Sequence, residues 1–287
     1  MFLEYCPNGD LSSLLDHHQA LNITNQHQNN QQPDRYIPEP AIWHIFNSLI
    51  KAGLAMERVF AGENDQDDAQ RLADVIHLDF KPDNVFLGDY PGIDPELPPN
   101  NFAMYPTCKL GDFGLATYRR LAENRHKLSN NNYIGRGTLG FQAPEQVQQY
   151  HAKHRPNLNA KTNVWGVGIT VMALMNLTVN AGRLQFREAA TDESHPALVP
   201  AFTPAAIAEY SSELRRMVQA CMQFKQDDRP DFASLLASLR HYTGLAPGYR
   251  DRALGARFGT KDDLPAGLTL LDGLPANDYA LGIAMPA

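Results

Sequence analysis

Apolar residues recur with helical spacing over one long segment that begins at Pro40 and ends near Gly62. The apolar positions repeat every three to four residues, as expected for one face of a long amphipathic helix: Ile42, Ile45, Phe46, Leu49, Ile50, Leu54 and Val59. Four further segments have helical patterns: 10–18, 164–179, 211–222 and 232–241. The apolar character of 164–179 predicts a buried helix.

Short strands are predicted on both sides of one polar loop, at 75–77 and 85–87, and a third extended segment at 107–110 leads into a turn at Asp112. Helices therefore dominate, with a short β-ribbon beside the loop 77–84. The predicted fold class is α+β, mainly α.

Polar tracts divide the pattern. An Asn/Gln tract at 22–32 lacks apolar residues that could order it, so we expect a flexible insertion there. We predict a single domain over 1–243 and a disordered tail over 244–287, which is dense in Gly, Pro and Asp. The insertions expected within the domain are at about 22–35, 62–73 and 88–106.

Composition narrows the class of protein. A hydrophobic content of 43% supports a core, and a net charge of −7 gives no reason to expect a nucleic-acid partner. The three scattered cysteines (Cys6, Cys108 and Cys221) argue against a disulfide framework or zinc site and fit a reducing compartment. Glu4 and Asp10 interrupt the first apolar run, which excludes a secretory signal, and 164–179 is too short for a membrane span. We expect a soluble intracellular protein, cytoplasmic or nuclear, with no membrane partner.

Three short motifs carry the chemistry: HLDFKPDN at 77–84, DFG at 112–114 and APE at 143–145. In this order and spacing the chain resembles a eukaryotic-type protein kinase, whose catalytic loop, metal-binding turn and activation-segment end have these patterns. Lys81-Pro82 resembles the serine/threonine branch. The resemblance implies a protein substrate with a serine or threonine acceptor, and ATP and Mg²⁺ as cofactors.

The resemblance also implies a role for each residue of the loop. Asp79 would accept the proton of the substrate hydroxyl, and Lys81 would reach the transferring phosphoryl group. Thr138 would brace these two side chains. Asn84 and Asp112 would hold Mg²⁺, a hard cation that prefers oxygen ligands. An aspartate in a loop is more often a turn residue, but several such coincidences in the right order are improbable.

The start of the chain is similar to the kinase hinge. Glu4 and Cys6 would offer the backbone carbonyl and N–H that read an adenine edge, with Leu3 guarding the back pocket. Asp10 would reach the ribose hydroxyls, although an N-cap role for this residue is nearly as well supported. Phe86 would form the floor under the base.

Two further features match the family. Glu145 and Arg229 match the buried ion pair that anchors the activation segment, a structural role. The segment GRGTLG at 135–140 satisfies a nucleotide-loop pattern, but it neither follows a predicted strand nor opens a helix, so we interpret it as a substrate-docking loop. This loop and Gln146 are loosely similar to the NIMA-like group.

Two departures from the family concern individual side chains, the first at two positions taken together and the second at one. Leu78 occupies the position of the arginine that normally receives a phosphorylated residue, and Ile134 occupies the usual acceptor position. Together they predict no phosphate switch at that site, with Ser129 and Tyr133 as nearby alternatives. Asn163 replaces an aspartate that holds the catalytic-loop backbone; its amide oxygen can still accept a hydrogen bond, but without the charge.

A third departure concerns the small lobe. No glycine-rich phosphate cover or strand lysine precedes the hinge, so the sequence predicts a kinase-like C-lobe with the N-lobe absent, a truncated kinase. A catalytically impaired pseudokinase acting as a binding module is the alternative. A small-molecule phosphotransferase is disfavoured, because Thr138 and the APE motif build a peptide-docking site.

Overall fold

The computed structural model describes residues 4–27, 36–57, 59–60, 72–89, 105–120, 133, 135–147, 158–178, 185–189 and 197–243. Helices account for far more of these residues than strands do, as predicted from the apolar spacing. Their bounds are α1 Leu11–His27, α2 Glu39–Met56, α3 Ala160–Met175, α4 Pro204–Glu209, α5 Ser212–Cys221 and α6 Phe232–Tyr242.

The strands are short and pair antiparallel. They are β1 Val59–Phe60, β2 Leu72–Ile76, β3 Val85–Leu87, β4 Cys108–Leu110, β5 Thr117–Arg120, β6 Gln185–Ala189 and β7 Ala197–Ala201. β1, β2 and β5 form one sheet in that order, β3 pairs with β4, and β6 pairs with β7. The predicted ribbon around the catalytic loop is confirmed: β2 enters the loop and the β3–β4 hairpin leaves it.

Helix α2 lies at the centre of the core and packs against α3 and α6, while α3 also packs against α5. The contact with α6 is close: a Cβ added to Gly53 would lie 2.2 Å from the ring of Phe232. Phe46 and Phe232 are completely buried. The amphipathic pattern predicted this helix, but it ends at Met56, because Glu57 is already extended and leads into β1.

The prediction for the Asn/Gln tract is wrong over its first residues. Helix α1 continues to His27 instead of stopping near residue 18. One face of this helix is buried as far as Asn22: Leu11, Leu14, Leu15, His18 and Asn22. Tertiary packing of that face outweighs the low helix propensity of the asparagines. The remainder of the tract, at 28–32, lies outside the described residues.

Other boundaries also moved. β2 begins at Leu72, inside the insertion predicted at 62–73. The buried helix α3 starts four residues before the predicted 164, because Asn159 caps it by accepting from the Lys161 N–H at 2.8 Å. Most of the insertion at 88–106 and all of the tail at 244–287 lie outside the described residues. Among the described helices, none combines the length and apolarity that crossing a bilayer requires.

Candidate active site

The catalytic loop 77–84 is held from below by α3. Asn163, which is 1% exposed, accepts from the His77 N–H at 2.9 Å and donates to the Val75 carbonyl at 2.8 Å. The expectation that an amide oxygen can replace the usual carboxylate here is confirmed. The amide also makes a second bond that a carboxylate cannot make, because a carboxylate has no N–H to donate.

The Asp79 carboxylate lies at the centre of a hydrogen-bonded group. Its Oδ1 accepts from the Thr138 N–H at 2.8 Å and from the Thr138 hydroxyl at 2.7 Å. Its Oδ2 accepts from Asn84 Nδ2 at 3.1 Å. Burial alone would raise the pKa of Asp79, but the Thr138 hydrogen bonds and the Lys81 charge outweigh it and hold this pKa below its usual value. Asp79 is therefore ionised at neutral pH and can accept a proton.

Lys81 completes this group. Its ammonium donates to the Thr138 hydroxyl at 3.0 Å and lies 3.5 Å from Asp79 Oδ2. The structure therefore brings together the three residues predicted to be catalytic. The Thr138 hydroxyl lies between the carboxylate and the ammonium and bonds both. It therefore fixes both charged groups relative to the loop 135–140, which carries Thr138.

Two oxygen-bearing side chains lie beside this group. Asn84 donates through Nδ2 to the Asp79 carbonyl at 2.8 Å, so its side-chain oxygen faces the other way. The Asn84 carbonyl accepts from the Gly111 N–H at 2.9 Å, which places the next residue, Asp112, alongside. Asp112 is exposed and has a left-handed backbone with φ of 54°. An amide oxygen and one carboxylate fit Mg²⁺, which typically takes one or two protein carboxylates together with substrate phosphates.

The turn at 111–114 is tied to the catalytic loop through His77. One ring nitrogen of His77 is 2.9 Å from the Gly111 carbonyl, and the ring meets Phe113 edge-on at 4.8 Å between centroids. Burial lowers the pKa of His77, so the imidazole is neutral at pH 7 and can bond the carbonyl through its N–H. The Phe113 ring itself is 48% exposed.

The predicted hinge segment lies against the β3–β4 hairpin. The Asn8 N–H donates to the Leu87 carbonyl at 3.1 Å, and the Leu87 N–H donates to the Gly9 carbonyl at 2.8 Å. The half-buried ring of Phe86 packs under the backbone at Gly111, where an added Cβ would lie 2.6 Å from it. Phe86 thus lies between the hinge segment and the turn that carries Asp112.

The other hinge residues have contacts of their own. Glu4 forms an ion pair with Lys109 on β4, and Cys6 is half-buried, which raises the pKa of its thiol. Asp10 caps α1: its Oδ1 accepts from the Ser13 N–H at 2.7 Å and from the Ser13 hydroxyl at 2.9 Å. The alternative N-cap role is thus confirmed, and the ribose role, which would use Oδ2, stays a prediction. Leu3 lies outside the described residues.

The predicted pair of Glu145 and Arg229 is confirmed. Arg229 Nη1 and Nη2 donate to the two oxygens of Glu145 at 2.7 and 2.8 Å, and the guanidinium lies 5.1 Å from the Trp165 ring centroid. Burial raises the pKa of Glu145, but the charge and hydrogen bonds of Arg229 prevail and lower it. The pair fixes the end of the activation segment to the turn before α6.

An apolar cluster surrounds Leu78, the position where the resemblance to kinases implies an arginine. Leu78 packs with Ile76 and Leu158, and Tyr133 lies against these three. Ser129 and Ile134 lie outside the described residues. The catalytic loop therefore contacts the activation segment here through apolar side chains. The expectation that this position carries no phosphate switch stays a prediction.

Sequence reasoning missed two residues of the site. The Gln146 side chain donates to the Leu78 carbonyl at 2.9 Å and to the Arg136 carbonyl at 3.1 Å. Gly137 has φ of 95°, and a Cβ there would lie 2.3 Å from the Leu78 oxygen. For Gln146, the sequence signal is its place directly after the APE motif, which does not reveal the bonds of its side chain. The glycine was noticed as part of the loop 135–140, which the structure places against the catalytic loop.

A mainly helical lobe in which an ionised aspartate, a lysine, a threonine and two oxygen-bearing side chains lie close together is the arrangement expected of a phosphotransferase of the protein kinase class. The protein kinase domain model matches residues 68–239. The chain therefore belongs to the protein kinase family, among the eukaryotic-type serine/threonine kinases.

Similar proteins agree with this assignment. The chain is 25% identical over 255 residues to the G2-specific protein kinase nimA of Emericella nidulans, covering 82% of this chain and 29% of the relative. It is 26% identical over 257 residues to the G2-specific protein kinase nim-1 of Neurospora crassa, covering 82% and 24%. It is 22% identical over 228 residues to the serine/threonine-protein kinase Nek1 of Toxoplasma gondii, covering 79% and 12%. The chain thus spans less than a third of the length of these relatives.

Proposed function

We propose that this chain carries the catalytic lobe of a serine/threonine protein kinase, which transfers the γ-phosphate of ATP to serine or threonine hydroxyls of protein substrates. The observation that carries the proposal is the joint bonding of Asp79 and Lys81 to Thr138. Such bonding supports the proposal, because a base and a cation close together, beside a glycine-rich loop, suit phosphoryl transfer to a docked peptide.

In the proposed reaction, the substrate oxygen forms a bond to the γ-phosphorus as the bond to the ADP oxygen breaks. Asp79 orients the attacking hydroxyl and accepts its proton, and Lys81 stabilises charge on the transferring phosphoryl group. Thr138 keeps these two side chains in register. Asn84 and Asp112 would hold Mg²⁺, which neutralises charge on the nucleotide phosphates when bound.

Nucleotide binding is proposed at the hinge. The backbone of Glu4 and Cys6 would read the adenine edge, Asp10 would contact the ribose through Oδ2, and Phe86 would support the base from below. The position of Phe86 between the hinge segment and the turn of Asp112 supports this direction, since a base held on Phe86 would have its phosphates towards Asp112. We propose the cytoplasm or nucleus as the compartment, on the cysteines that are unpaired in the described residues.

The competing function is a kinase-fold binding module without catalysis. Leu78 and Asn163 favour it, because the resemblance to kinases implies charged residues at both positions. The two hydrogen bonds of Asn163 weigh against it, since they hold the catalytic loop in a conformation in which Asp79 meets its partners.

The test compares two aspartates of the same loop. The purified 287-residue chain is incubated with Mg-ATP and a generic basic protein, beside Asp79→Asn and the control Asp83→Asn, whose side chain is exposed. We expect transfer by the unaltered chain and the control, and a loss of at least about 100-fold in Asp79→Asn. Transfer that is equal in all three, or absent from the unaltered chain, would favour the binding module.

A further inference from the structure

One buried side chain links three parts of the site. Gln146 follows the APE motif and is 3% exposed. Its Oε1 accepts from the Ala143 N–H at 2.9 Å, and its Nε2 donates to the carbonyls of Leu78 at 2.9 Å and Arg136 at 3.1 Å. Two carbonyls around the nitrogen and one N–H at the oxygen fix the orientation of the amide.

The carbonyl of Leu78 is held in an unusual direction. Leu78 has φ of 67°, a left-handed conformation that is unfavourable for leucine. Its carbonyl faces Gly137 so closely that a Cβ there would lie 2.3 Å from the oxygen. Nε2 of Gln146 bonds the carbonyl at this close approach, so the side chain stabilises both the backbone direction of Leu78 and the contact between the two loops.

These contacts form a closed ring of residues that includes the base, Asp79. Leu78 is followed by Asp79, whose carboxylate accepts from the Thr138 N–H at 2.8 Å. The chain then runs back from Thr138 through Gly137 to Arg136, whose carbonyl is bonded by Gln146. The ring therefore has two links between the same two segments, one through the Asp79 carboxylate and one through the Gln146 amide.

We propose that Gln146 is a positioning residue whose amide sets the spacing between the loop that carries Asp79 and the loop that carries Thr138. The inference rests on the proposed kinase function and deepens it. Gln146 acts on the docking of the acceptor against the base, and within the described residues its side-chain hydrogen bonds go to Ala143, Leu78 and Arg136 and not to the hinge. Its loss should therefore lower kcat and leave the KM for ATP unchanged.

The variant Gln146→Met, in the 287-residue chain, removes the amide and keeps a similar length. Gln142→Met is the matched control, because Gln142 donates to the same Arg136 carbonyl at 3.0 Å but is only half-buried. We expect kcat to fall at least about tenfold in Gln146→Met, with the KM for ATP within about twofold of its original value. Both constants should stay within about twofold in Gln142→Met. Equal effects in the two variants, or a changed KM for ATP with kcat intact, would overturn the proposal.

A second readout does not depend on activity. By NMR, exchange of the Thr138 amide proton with solvent should accelerate in Gln146→Met and not in Gln142→Met; an unchanged rate would contradict the proposal. If the unaltered chain transfers no phosphate, the kinase function fails while this measurement still decides the role of Gln146.

Variants that fail to fold are covered by two further measurements. Gln146→Glu keeps the acceptor for the Ala143 N–H, and the same results are expected of it. If neither variant folds, the side-chain amide protons of Gln146 in the unaltered chain should exchange more slowly than those of Gln142. Exchange at the same rate would contradict the proposed bonds.

Discussion

Removing Arg229 should cost more stability than removing any surface charge. Arg229 is 1% exposed, and its five N–H groups all donate: to Gln223, Phe224, Lys161 and both oxygens of Glu145. Arg229→Met leaves a buried carboxylate and three backbone carbonyls without the guanidinium that bonds them, although Gln226 still donates to Glu145 at 2.9 Å. Breaking one side of a buried pair costs about 3–5 kcal/mol, a large part of the 5–15 kcal/mol that typically stabilises a domain.

A double-mutant cycle isolates the pair. The free energies of unfolding of Arg229→Met, Glu145→Leu and the double variant are measured by urea titration, followed by the fluorescence of Trp43 and Trp165. We expect the double variant to lose less stability than the sum of the single losses, because no buried charge is then left without its partner. The expected coupling is about 1–3 kcal/mol.

An exposed pair on α5 serves as the control. Arg216 and Glu213 are 3.0 Å apart, with Arg216 exposed and Glu213 partly exposed, so the same cycle there should give a coupling of no more than about 0.5 kcal/mol. A loss below about 1 kcal/mol for Arg229→Met, or strict additivity with Glu145→Leu, would refute the claim that this pair anchors the activation segment.

Two further predictions concern pH and the docking loop. Burial lowers the pKa of His44 to about 4, below its unfolded value near 6.5, so stability should fall as the pH drops from 6.5 to 4 and then level off for this group. The expected loss of unfolding free energy is at most about 3 kcal/mol. Urea titrations at several pH values should show that the stability of His44→Gln depends less on pH than that of the unaltered chain. The same pH dependence in both would contradict the prediction. Gly137→Ala should lower transfer at least about tenfold, because its Cβ would meet the Leu78 oxygen. Gly135→Ala is the control, since φ of Gly135 is also positive but nothing lies within 4 Å of an added Cβ. Equal losses in the two variants would mean that the backbone strain of a positive φ, and not the contact with Leu78, lowers transfer.

Local patterns predicted most of the fold and the motif-bearing parts of the site. The α2 helix followed from apolar spacing, and the cluster of Asp79, Lys81 and Thr138 followed from the resemblance to kinases. Contacts between distant segments were not readable in this way. The bonds of Gln146 to Leu78 join residues 68 positions apart, and no local pattern encodes such a meeting. The sequence predicts helix α1 to end near residue 18, too early, because the burial of Asn22 depends on tertiary packing that helix propensity does not describe.

The most direct test of the central claim follows the fate of γ-labelled ATP phosphate in the presence of Mg²⁺ and a peptide. The account predicts label on serine or threonine hydroxyls, none on a matched peptide with alanine at those positions, and a loss of at least about 100-fold in Asp112→Asn. Label that appears on tyrosine, or at an undiminished rate in Asp112→Asn, would contradict the assignment of this site to serine/threonine phosphorylation.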